Sequence, residues 1–252
     1  MQRLLKFKTV LLLAVVVFLL TLLGNLPASL VWRQVAPSLP AQVKLQGITG
    51  SLWQGQVANM QVEGVDQGAL RWDWRPSGLF KGQLALDLDW RPRNSQVSAT
   101  LRLGFGSLVL EQVTGRLDAR SMAAVNKAPF ILTGDWLLDI PELKLEDFER
   151  VVQAHGRIAW QGAGGGLPEP LGLGNLAAQL SSENDWLMMT LSSDQRGPLG
   201  LTGTAKWRPA QALQLDTRLQ ARAHAEAGLA EGLKLLGRPD ADGWIHWRAK
   251  LQ

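Results

Sequence analysis

A chain of 252 residues with no cysteine and no tyrosine can form no disulfide or Cys-ligated metal site, and it offers neither a thiol nor a phenol for catalysis. Its pI near 9.7 invites a polyanionic partner, but three of its 26 basic residues (Arg3, Lys6 and Lys8) stand at the very start, leaving 23 against 22 acids. That remainder is almost neutral, with Lys and Arg scattered singly among Asp and Glu, so it lacks the concentrated basic stripe that nucleic acid requires.

Behind the three basic residues, positions 9–23 are uncharged and mostly apolar. Extended to Val31, the uncharged segment is 23 residues long, and about 20 suffice to cross roughly 30 Å of hydrocarbon as a helix. The sequence predicts one membrane anchor at 9–31, with Val10, Leu13, Val17, Leu20 and Leu23 contributing its apolar surface. Positive charge is retained inside, so residues 1–8 are expected in the cytoplasm and the rest across the membrane. A cleaved signal peptide is the alternative, but Leu26-Pro27-Ala28 puts a leucine where signal peptidase needs a small residue. Trp32 and Arg33 suit the membrane interface. Residues 32–41 read as a connector, in which 29–35 form one or two helical turns before Pro37 and Pro40 stop them.

From Gln42 the pattern changes to period two. Leu84, Leu86, Leu88 and Trp90 alternate with Ala85, Asp87 and Asp89. Val97, Ala99, Leu101, Leu103 and Phe105 alternate with Ser98, Thr100, Arg102 and Gly104. The pattern returns at Leu199, Leu201, Gly203, Ala205 and Trp207, and at Leu213, Leu215, Thr217 and Leu219. These are half-buried strands. Short turns such as Pro76-Ser77-Gly78 join them, which favours antiparallel hairpins over β-α-β units. The expected fold is mainly β: a long, strongly curved antiparallel sheet, as a half-pipe, an open barrel or two layers. The Gly- and Pro-rich residues 162–174 are expected as a linker between a β half at 42–161 and a second at 175–252. Ala225, Leu229, Leu233 and Leu236 predict one late helix before a last strand at 244–251.

Trp-Arg-Pro occurs at Trp74, Trp90 and Trp207. Parity puts each Trp on the apolar face and each Arg in water, while Pro, lacking an N–H, ends the strand. Gly50-Ser51-Leu52-Trp53-Gln54-Gly55 flanks a Trp with glycines that allow a bend or a close backbone approach, and residues 156–162 (GRIAWQG) echo it. An apolar-Thr-Gly triplet recurs at Gly50, Gly115, Gly134 and Gly203, a repeated strand device at unequal spacing. The candidate structural and interaction residues are Gly50, Trp53, Gly55, Trp72, Trp74, Trp90 and Trp207. No catalytic, cofactor or metal residues are assigned. His155, His224 and His246 stand far apart without a ligand spacing, Asp87 and Asp89 read as a solvated strand face, and no Gly-x-Ser-x-Gly elbow exists. Pro168 and Pro170 deny the strand that a dinucleotide reading of 172–177 would need. An outer-membrane barrel shares the alternation but conflicts with the anchor and with the charged ending Arg248 to Gln252.

The basic start, the single anchor, the Gly50 to Gly55 segment, the paired tryptophans of Arg71-Trp72-Asp73-Trp74-Arg75-Pro76 and the closing Leu235-Leu236-Gly237-Arg238-Pro239 together resemble the type II secretion system protein N family of Gram-negative bacteria. The resemblance covers the whole chain, and its motifs are structural. It implies a non-enzymatic inner-membrane accessory protein with a periplasmic β domain, no cofactor, and other secretion subunits as partners: inner-membrane components and the secretin, with inner-membrane lipid around the anchor. The same plan is similar to AsmA-like periplasmic proteins associated with lipid movement, which leaves open a lipid or apolar-ligand module.

Overall fold

The computed structural model describes residues 25–35, 43–92, 94–124 and 131–251. The anchor residues Val10, Leu13, Val17, Leu20 and Leu23 lie outside them; among the described residues, no helix is long and apolar enough to cross a membrane. The chain opens with a short helix, α1 (Ala28–Val35), where one or two helical turns were expected. Its start is fixed by the sheet: Pro27 bridges Ser51 and the Leu26 carbonyl accepts the Leu52 N–H at 2.9 Å.

Then come β1 (Val43–Gly50), β2 (Gln54–Val62), the two-residue β3 (Val65–Asp66), β4 (Ala69–Arg75), β5 (Leu84–Arg91), β6 (Gln96–Gly104) and β7 (Ser107–Asp118). The second part comprises β8 (Ile131–Glu146), β9 (Arg150–Gly166), β10 (Leu171–Glu183), β11 (Trp186–Ser193), β12 (Leu199–Trp207), β13 (Leu213–Ala221), the helix α2 (Ala227–Lys234) and β14 (Ile245–Leu251). All fourteen strands belong to one open sheet in which spatial order follows chain order from β1 to β14, with β3 alone off the path, on β2. A pure meander is what short turns between period-two strands produce, because each strand finds its partner locally. The sheet is neither closed into a barrel nor split into two.

Two expectations are corrected, and one strand runs through a proline. Residues 162–174 are not a linker: Ala163 to Gly166 pair with β8 and β10, residues 167–170 make a turn, and the sheet runs on without a domain break. At Gly164 an added Cβ would overlap the Thr133 hydroxyl, while Gly162 has nothing within 4 Å of one, so crowding accounts for Gly164 and not for the whole run. Phe105 is not an inward strand residue, because β6 stops at Gly104 and the phenyl ring stands fully exposed in the turn. Finally, β8 continues through Pro141 to Glu146. A proline inside a sheet is tolerated where pairing is already irregular, and the register shifts between Asp139 and Glu142 leave it such a place.

From β4 to β14 the registers align the expected apolar alternations on one face, whereas in β1 and β2 the pairs Val43–Val62 and Leu45–Met60 have the opposite parity to Ile48–Val57. Trp72 pairs with Leu88, which pairs with Ala99; Leu101 with Leu110, and that with Leu143; Leu176 with Trp160, and that with Trp136. Most of these side chains are half-buried, shielded by cross-strand neighbours worth roughly 0.2–1 kcal/mol per pair. Complete burial comes in patches. Leu145, Val151 and Ala154 form one, with Leu187 against them. The other lies under α2, where Leu229 and Leu233 pack on Leu199, Leu219 and Ile245. The expected late helix is therefore real but short, leaving Leu235 and Leu236 exposed.

Two of the apolar-Thr-Gly glycines explain the triplet. Gly115 (φ +149°) and Gly203 (φ +151°) take backbone angles that side chains rarely adopt, and a Cβ on either would come within 3.0 Å of the facing strand, at Gln96–Val97 and at Asp216–Thr217. Each admits a close backbone approach that sharpens the local twist.

Candidate functional site

The tryptophans at the β1 end form a single corner. Residues 50–54 are the β1–β2 turn, with Gly50 paired to Gly55, so the motif expected as a strand bend closes a hairpin. The Ser51 hydroxyl accepts the Trp53 and Gln54 N–H groups at 3.3 and 3.1 Å. Trp53 then lies against Trp74, with ring centroids 4.6 Å apart and planes tilted by 43°. Trp72 donates its indole N–H to the Leu52 carbonyl at 3.0 Å, and its ring covers Gly55, where a Cβ would collide with it. Trp90, on the next strand, donates to the Gln67 carbonyl at 2.7 Å. Gly50, Trp53, Gly55, Trp72 and Trp74 are thus brought together, while Trp90 lies toward the other end of β5, opposite Leu70, and Trp207 stands far along the sheet on β12, opposite Leu187.

Sequence reasoning missed a second aromatic contact: Trp136 and Trp160 stack at 4.6 Å and 13° across β8 and β9. Each carried the signal of apolar parity, but only the register shows that they face each other. It also missed the phenylalanines. Phe80, Phe105 and Phe148 top three successive turns at one end of the sheet, exposed by 94, 103 and 50%. Every described Trp is at least half-buried, so aromatic character is divided between core and tips.

The opposite face carries the charges, interlocked in pairs. Arg75 holds Asp87 at 2.5 Å, Thr100 adds a hydrogen bond to the same carboxylate at 2.8 Å, and Arg91 and Gln96 hold Asp89. Arg116 pairs with Asp135, while His246 and Arg248 share Asp216 at 2.5 and 2.9 Å. An open recess of about 720 Å³ on this face is lined by Gln54, Gln56, Arg71, Asp73, Asp87 and Asp89 among others. The hydrogen bond from Arg91 holds the Asp89 carboxyl below the usual range, whereas a general acid needs a raised value. Among the described residues no group of His, Asp and Glu is placed to hold a metal.

What the molecule does offer is surface: one apolar face, one ion-paired face and two sheet edges. Residues 41–248 match the family model of type II secretion system protein N. The chain belongs to that family. It is 31% identical over 262 aligned residues to type II secretion system protein N of Vibrio cholerae, with 94% of this chain and 92% of the relative covered. The corresponding proteins of Aeromonas hydrophila and Klebsiella pneumoniae are 26% and 28% identical, at 90% and 95% coverage of this chain and 91% and 94% of theirs. No solved structure matches.

Type II secretion system protein N is an accessory component of secretion, and the match spans nearly the whole sheet. For a subunit of this kind the edges matter most, because an unpaired edge presents free N–H and C=O groups. The two edges differ. On β1, Gly47 takes φ +67° and interrupts the ladder to β2, and α1 packs beside the strand. On β14 all seven residues from Ile245 to Leu251 pair in unbroken register with β13, leaving a regular outer edge.

Proposed function

We propose that this chain is a non-enzymatic inner-membrane accessory subunit of type II secretion. The anchor expected at 9–31 stops short of Leu26, where the chain is bonded into the sheet and then forms α1; the sheet lies in the periplasm, and β14 docks other secretion subunits by strand addition. The observation that carries this reading is the uninterrupted β14 edge, whose geometry suits an added strand. Along the polar face of that strand His246 and Arg248 already share Asp216 of β13, so the added partner is expected to bring an acidic side chain opposite Lys250. Such charges also guard an edge against indiscriminate pairing.

A second reading, a module that shields an acyl chain or other apolar ligand, is favoured by the continuous, half-buried apolar face. One experiment separates the two: photocrosslinking in living cells, with the probe at Trp247 and Ala249 on the edge and at Trp53, Trp74, Trp90 and Trp207 on the apolar face. Capture of the secretin or an inner-membrane secretion subunit from β14 supports the docking role. Lipid captured from the apolar face, with no protein adduct at β14, overturns it in favour of the second reading.

A further inference from the structure

The chain joins the sheet as early as Leu26. The Leu52 N–H bonds to the Leu26 carbonyl and Pro27 pairs with Ser51, so the chain is part of the β1–β2 turn from Leu26 onward. Asn25 lies in a turn, so at most the 16 uncharged residues 9–24 can run as a helix, which covers about 24 Å, while the hydrocarbon is about 30 Å thick. If that run spans the bilayer, no residue is left over as a tether, and the turn bonded to Leu26 is held at the lipid boundary.

The surface presented there is of the right kind. Leu52 is 37% exposed and Leu30, in the first turn of α1, 53%. The neighbouring tip, the 3-10 turn Pro76–Lys81, carries Leu79 at 58% and Phe80 at 94%. The two tips are tied together, since Trp74 donates its N–H to the Trp53 carbonyl at 2.7 Å. At about 4.8 Å per strand they stand about 10 Å apart. Arg33 and Lys81 are exposed beside them, and neither α1 nor either tip contains an acid. The Phe148 tip differs: Asp147 and Glu149 flank the ring, and it lies six strand spacings from the anchor, where the accumulated twist of the sheet turns a strand end well away from its starting direction.

We infer that the β1–β2 turn and the Pro76–Lys81 tip are seated in the bilayer surface. Leu52, Leu79 and Phe80 enter its apolar boundary, and Arg33 and Lys81 face the lipid phosphates. The sheet then stands on its first corner in a fixed orientation, and the β14 edge lies about 58 Å away along the sheet contour, at about 4.8 Å per strand, free for partners. The inference rests on the anchor reading proposed above.

The chain has no cysteine, so single labels are unambiguous. Full-length Leu79→Cys, Phe80→Cys, Phe148→Cys and Arg196→Cys variants, each carrying an environment-sensitive fluorophore, are reconstituted into phosphatidylethanolamine–phosphatidylglycerol vesicles with and without acyl-chain nitroxide lipid. Labels at 79 and 80 are expected to be blue-shifted and quenched several-fold more than labels at 148 and 196. Protein that floats with the vesicles but shows no more quenching at 79 and 80 than at 196 overturns the inference and leaves the anchor standing. Equal quenching at 148 overturns it too, because the sheet would then lie flat on the bilayer. Protein that does not float at all removes the anchor and the inference together.

Discussion

Trp136 and Trp160 stack across β8 and β9 with only 13° between their ring planes, yet they differ in one respect. The Trp160 indole N–H donates to the Thr133 carbonyl at 2.9 Å, whereas that of Trp136 is buried without a partner.

That asymmetry ranks two conservative substitutions. Both Trp→Phe changes retain an aromatic contact, but only Trp160→Phe abandons a hydrogen bond, so it is expected to cost about 1 kcal/mol more than Trp136→Phe. Urea denaturation followed by circular dichroism measures the difference. Equal costs would mean that the Thr133 bond contributes nothing net.

Glycine substitutions are expected to differ in sign. Gly203→Ala places a Cβ against the Asp216–Thr217 backbone at φ +151°, and strain with overpacking is expected to destabilise by roughly 2–4 kcal/mol. Gly232, within α2, has nothing within 4 Å of an added Cβ, so Gly232→Ala is expected to stabilise by about 0.5–1 kcal/mol. The shift in denaturation midpoint reads both.

The carboxylates of the polar face set the acid limit. The hydrogen bond from His246, followed by that from Arg248, holds the Asp216 carboxyl below its ordinary value of 3.8; Arg116 does the same for Asp135. A carboxyl depressed in the folded state binds its proton more readily in the unfolded chain. Its contribution is therefore complete above the ordinary value and is lost as pH falls through the lowered one. Stability from these groups is expected to be level down to about pH 5 and to decline below about pH 4. Exposure keeps each contribution small, so the comparison is wild type against the Asp135→Asn, Asp216→Asn double variant. The double variant should show the shallower acid decline, and identical acid limbs would exclude these pairs as its source.

The proposed topology has a direct check. Protease added to spheroplasts is expected to remove a C-terminal epitope while an N-terminal one stays protected. Survival of the C-terminal epitope would place the sheet on the wrong side of the membrane.

Much of the strand content was legible because period two is written residue by residue: Leu84 to Trp90 and Leu213 to Leu219 show their apolar side with no knowledge of a partner. Turns were harder to read. Phe105 continues the alternation of β6 and yet stands in solvent, because Gly104 and Gly106 let the chain reverse around it. Pro141 resembles a strand end and is not one, because the irregular pairing there needs no N–H from it. The glycines of 162–166 look like a linker, although Ala163 to Gly166 are paired strand residues, which composition alone does not reveal.

By itself the sequence determined the family, the mainly β class, the face on which each strand residue lies and the near-neutral charge of the residues beyond the start. The family follows from a resemblance carried by motifs along the whole chain, and the rest from composition and local periodicity. The tertiary structure alone decided that Trp53 meets Trp74 and Trp136 meets Trp160, that β14 is left as a regular open edge, and that Leu26 is bonded into the turn beside Phe80. Those are matters of register and of which strand comes last, set by pairing between segments distant in the chain, and no local pattern records them.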